Sequence, residues 1–115
     1  MLEILNKFKR LEITKSKLQE FFQRDLADIH DEEPVYINNM DAVLILEKYQ
    51  RGEIEVNDIL DWVNVVWFTD LYEYDYKYHY SLGSVLNELE ELDEEGRNLT
   101  KEKVKHFIWS LKNNT

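Results

Sequence analysis

Apolar residues recur along the chain at helical spacing, and three of the recurrences share one form. Ile13-Thr14 is followed by Leu18, Phe21 and Phe22; Ile54-Glu55 by Ile59, Trp62 and Val63; and Leu99-Thr100 by Val104, Phe107 and Ile108. In each, one apolar residue stands five positions ahead of another. That is the spacing of a hydrophobic staple across a helix start, with Thr14, Glu55 or Thr100 at the N-cap. A threonine hydroxyl can accept a free backbone N–H there, whereas glutamate is a poor cap. Gly52 and Gly96 stand where helices should stop, since glycine takes the left-handed conformation at low cost. Pro34, the only proline, breaks the chain after Asp31-Glu32-Glu33.

These signals predict helices over 2–12, 15–29, 39–51, 56–69, 82–95 and 101–112, with the second and fifth the clearest. Leu82, Val85, Leu86, Leu89 and Leu92 form one apolar stripe at helical period. Residues 59–68 are apolar on nearly every side, which marks the most buried helix, although Val65-Val66-Trp67-Phe68 alone also fits a strand. One stretch departs from the helical pattern. From Tyr72 to Tyr80, tyrosine alternates with charged or polar residues, and period two favours an extended backbone. A strand there needs a partner, and Val35-Tyr36-Ile37 is the only candidate. The expected fold is all-α for the most part: one domain over 1–115, a compact bundle of about five or six helices, with a short extended segment or ordered loop at 72–80.

Composition narrows the functional classes. The chain has 115 residues, 43% hydrophobic and 13% aromatic, enough to fill a core without a disulfide or metal. There is no cysteine. The longest wholly apolar run, Ala42 to Leu46, is far too short to cross a bilayer. The first residues lack the apolar run of a signal peptide. A cytoplasmic location is the default expectation, and the frequent Lys, Asn, Ile and Glu suit an AT-rich bacterial genome. The net charge of −10 is unevenly spread: +3 over residues 1–24, −17 over 25–96 and +4 over 97–115. The central block repels phosphate backbones, which disfavours nucleic acid. It attracts basic proteins and speeds their arrival. An acidic surface also serves plain solubility.

Chemistry is sparse. No glycine-rich phosphate loop, cysteine nucleophile or zinc-ligand spacing is present. His30-Asp31-Glu32-Glu33 resembles a ligand cluster, but adjacent side chains diverge and would chelate poorly. Glu102 and His106 make at most a helical i, i+4 pair. Spaced carboxylates such as Asp58 and Asp61 arise readily among 24 acids, and Asp61 beside Trp62 is the best of them for a perturbed carboxyl. Ser16, Ser81, Ser84 and Ser110 lie in no triad motif. No catalytic, cofactor or metal residue is predicted, and no enzyme is expected.

Two local features point to a binding surface instead. Asp93-Glu94-Glu95 stands at a predicted helix C-terminus, where the dipole disfavours negative charge, and Lys101, Lys103 and Lys105 follow as possible neutralising partners. In the tyrosine run, rings that supply contact area alternate with acids that can meet Lys or Arg; alternate rings packed inward would explain the same pattern without a partner. The predicted partner-binding residues are Asp70, Tyr72, Glu73, Tyr74, Asp75, Tyr76, Glu88 and Glu91, led by the run Tyr72–Tyr80 and the acidic helix 82–95. Those two segments give the chain a resemblance of class to bacterial immunity proteins, compact acidic helical proteins whose acidic and tyrosine side chains cover the basic surface of a nuclease toxin. The adjacent Tyr-Tyr-Pro signature of the colicin nuclease immunity family is absent, so no binding residue is carried over by position. The resemblance implies a protein that binds and neutralises a basic toxin, as a monomer or small homo-oligomer and without a membrane. A helical adaptor or regulatory subunit of a cytoplasmic complex is the alternative, and exposure of Trp62, Trp67 or Trp109 would favour a homo-oligomer.

Overall fold

The computed structural model describes residues 2–74, 79–91 and 99–113, with the backbone alone for residues 2, 74 and 79–81. Among them are six α-helices and two short strands: α1 Leu2–Lys9, α2 Lys15–Phe22, β1 Val35–Ile37, α3 Asn39–Gln50, α4 Val56–Phe68, β2 Tyr72–Tyr74, α5 His79–Glu90 and α6 Lys101–Asn113. A 3-10 turn over Leu26–Asp28 lies between α2 and β1. The mostly α bundle is thus as expected; of the run 72–80, Tyr72–Tyr74 is a strand, residues 75–78 lie outside the described residues, and the extended expectation is corrected at 79 and 80, which open α5. β1 pairs with β2 in parallel, Val35 opposite Tyr72, Tyr36 opposite Glu73 and Ile37 opposite Tyr74.

The helix starts follow the local chemistry. Thr14 Oγ1 accepts from Lys17 N–H at 3.2 Å, and Thr100 Oγ1 from Lys103 N–H at 3.1 Å. At Glu55 the roles differ: the Asp58 carboxylate reaches back to accept from the Glu55 N–H at 2.8 Å. Asn38 and Asp41 close a full capping box on α3, with Asn38 Oδ1 accepting from Asp41 N–H at 3.2 Å and Asp41 Oδ2 accepting from Asn38 N–H at 2.8 Å.

Helix ends differ from expectation at two places. Helix α1 stops at Lys9 because Leu11 takes the left-handed conformation, φ 52°. The N–H groups of Leu11 and Glu12 then bond back to the Phe8 and Lys7 carbonyls at 2.8 and 2.9 Å, the crossed pair of a Schellman end. The predicted helix 15–29 is corrected to α2 plus the 3-10 turn. Gln23 is left-handed at φ 56°, and Asp25 starts a new turn by accepting from Ala27 N–H at 3.1 Å. Leu26 is buried from that turn and Ile29 from just beyond it, so their helical spacing arises without a helix. After α3 the Schellman bonds fall at Gly52, φ 74°, as glycine there predicts. The expected stop at Gly96, together with residues 92–95 of the predicted fifth helix, lies outside the described residues.

Helix α4 is the centre. Ile59, Trp62, Val63, Val65 and Val66 are buried, and it packs on α2, α3, α5, β2 and the 3-10 turn. Leu82, Val85, Leu86 and Leu89 of α5 and Val104, Phe107 and Leu111 of α6 close the core. Two side chains fix α1 to this core through its backbone. Trp62 Nε1 donates to the Lys9 carbonyl at 2.9 Å, and the Tyr72 hydroxyl donates to the Leu5 carbonyl at 2.6 Å. No helix among the described residues is long and apolar enough to cross a membrane.

Candidate partner-binding face

The two-stranded sheet has one buried and one exposed side, set by the alternation of β1. Val35 and Ile37 are buried, and Tyr36 between them is 60% exposed. In register with Tyr36, Glu73 is exposed too, while Tyr72, opposite Val35, is buried. Tyr36 and Glu73 therefore stand side by side on the outer face, the reach at which cross-strand side chains act together.

The rim of this face is polar. His30 Nδ1 meets Asp70 Oδ2, joining the segment before β1 to the turn before β2, and both side chains are largely exposed. Next to it, Arg24 donates to Asp31 at 2.6 Å, and this hydrogen bond, ahead of the other causes, holds the Asp31 carboxyl below the usual range. The Val35 N–H donates to the Leu71 carbonyl at 2.9 Å, which fixes the two incoming segments together just where Asp70 and His30 meet. Such a face can offer carboxylates and one ring edge to Lys or Arg.

The predicted site residues divide. Asp70 and Glu73 are exposed on this face. Tyr72 is corrected: it is 4% exposed, its ring tilts against Phe8 at 6.3 Å, and its hydroxyl is spent on the Leu5 carbonyl. Burial pushes its phenol well above the ordinary value. It is a core residue and cannot touch a partner. Tyr74 occupies the strand position opposite Ile37. Asp75 and Tyr76 lie outside the described residues. Glu88 is exposed on α5 and Glu91, half-buried, follows it, but the main packing partners of α5 are α3, α4 and α6. Glu88 stands on α5 and Glu91 just past its end, an element separate from β2.

Tyr36 and His30 were not among the predicted residues. The signal for Tyr36 was present, because the alternation of Val35-Tyr36-Ile37 exposes its middle residue whenever its ends are buried. Asp61, the best carboxyl on sequence grounds, is half-buried in a cleft of about 220 Å³ shared with Glu12, Asp58, Ile13 and Ile54. There Glu12 is bonded to Arg10, which lowers its carboxyl, and Asp58 serves as a helix cap. Among the described residues no group of His, Cys, Asp and Glu is placed to hold a metal ion. Comparison with protein-family models, with curated proteins and with solved structures found no match to this chain.

Proposed function

We propose that this chain is an acidic protein-binding module that captures a basic protein, in the manner of an immunity protein neutralising a toxin. The observation that carries the reading is the exposed Tyr36 beside the exposed Glu73, with Asp70 at the rim, on a sheet whose other side is core. A large ring gives contact area at small entropy cost, and flanking acids select a basic surface. The net charge of −10 supports the same choice, since it steers cationic proteins inward and keeps phosphate polymers away.

The test is capture from the native host with wild type, Tyr36→Ala and Glu73→Lys, with circular dichroism as the folding control. Wild type should retain one basic protein that salt releases. Tyr36→Ala should weaken it by roughly tenfold or more, as loss of an aromatic anchor does, and Glu73→Lys should chiefly slow association. Equal affinity for all three proteins would refute the site. A helical adaptor would use the same face. Expression of the captured partner alone separates the two: a toxin arrests growth and is rescued by this chain, whereas a complex subunit does neither.

A further inference from the structure

Helix α6 carries a second surface of opposite sign. Its core side is Val104, Phe107 and Leu111. On the exposed side, Lys101, Lys105, Trp109 and Lys112 follow one another at i, i+4, i+8 and i+11, which places them along one helical stripe. Trp109 is 62% exposed, the most exposed large apolar side chain among the described residues. Lys112 also reaches Glu47 of α3 at 3.9 Å, so the stripe ends in an ion pair. In a protein of net charge −10, this stripe joins lysines to an exposed indole.

Beside the stripe lies an apolar groove of about 530 Å³, between α6 and the Gly52 turn that joins α3 to α4. Tyr49, Ile54 and Val104 give it apolar walls, Lys101 and Lys105 stand along one side, and Glu55 stands on the other. That volume admits a few side chains of an incoming segment. Its two sides differ in charge, so an occupant has to bring carboxylates to the lysine side and apolar or neutral groups towards Glu55.

We propose that the α6 stripe and this groove form a second docking site, for a partner segment that carries acidic and apolar side chains together. Charge complementarity selects the acids: Lys101 and Lys105 are one helical turn apart and reach the same strip of partner. The groove selects the apolar side chains, and the Trp109 face extends the contact by one further turn. A bilayer or a duplex fits less well. Both are extended polyanions that meet the −10 field of the whole molecule, and neither inserts side chains into a concave groove. This site does not depend on the sheet face.

The test is display selection of random peptides on the immobilised full chain, with the Lys101→Glu/Lys105→Glu double variant in parallel. Both positions are exposed, and circular dichroism checks the fold. The selected pool should contain a class that mixes Asp or Glu with Leu or aromatic residues. Representatives should bind the double variant at least roughly tenfold more weakly and should shift the tryptophan emission of wild type more than that of Trp109→Phe. Oligoglutamate, vesicles of phosphatidylserine with phosphatidylcholine, and a DNA duplex are the competing probes. The proposal is overturned if no such class emerges, or if it binds the double variant equally. It is also overturned if oligoglutamate binds as well, if vesicles or duplex bind in its place, or if the chain alone forms a dimer in sedimentation that Trp109→Ala abolishes.

Discussion

Tyr72→Phe should reverse its effect on stability within the alkaline range. At neutral pH the variant keeps the ring against Phe8 and loses the hydroxyl bond to the Leu5 carbonyl. A buried hydrogen bond of this kind contributes about 1 kcal/mol net, or about 4 °C in melting temperature for a domain of this size. The phenol is pushed up by burial, so the folded protein keeps its proton at pH values where the unfolded chain releases it. A folded-state value above the unfolded one gives stability that is complete below about pH 10 and is lost as pH rises above it. By about pH 10.6 the loss amounts to about 1 kcal/mol and cancels the hydrogen bond. Wild type should therefore be the more stable at neutral pH, equal near that point and the less stable beyond it. The other tyrosines and the lysines are common to both proteins and drop out of the difference. Urea unfolding of both proteins across the range, followed by emission of the fully buried Trp62, gives the measurement. A gap that stays constant from neutral to strongly alkaline pH would show that the Tyr72 phenol ionises within the fold, and the reasoning would fail.

Val63→Asp should unfold the protein, because it places an unpaired charge in the middle of α4; a melting temperature close to wild type would place Val63 outside the core. Gly52→Ala should cost about 1 kcal/mol in urea titration, since φ 74° strains a side chain even though no atom lies within reach of the added carbon; an unchanged midpoint would argue against the left-handed turn. Capture of the proposed basic partner should weaken with added salt, mainly through the association rate, and kinetics indifferent to salt would reduce the acidic surface to a solubility device.

Several elements were legible in the sequence for physical reasons. The strand pair could be found because period-two alternation at 72–80 required a partner and only Val35-Tyr36-Ile37 offered one. The position of α4 followed from its all-round apolar composition. What alternation does not reveal is which face turns inward. Tyr72 and Glu73 took opposite sides because Leu5 and Phe8 of α1 were there to receive a ring and a hydroxyl, and that contact is tertiary. The ends of α1 and α2 were hidden for a different reason. Leu11 and Gln23 adopt the left-handed conformation that normally signals glycine or asparagine, so the chain carries no residue that announces the stop. Tyr36 was legible because the aliphatic Val35 and Ile37 on either side of it take the core face and leave it the outer one.

The parallel pairing of β1 with β2 has a consequence for timing. The two strands flank α3 and α4 in the chain, so they meet only after the intervening helix pair has closed a long loop. On a ribosome, β1 emerges early and waits, with Tyr36 in place but Glu73 still to be made. A partner that reads both residues therefore ignores nascent and misfolded chains and recognises a finished molecule. Once seated, such a partner would close that molecule against proteases, because cleavage of the opened chain requires the strands to part first and binding shifts the equilibrium away from parting.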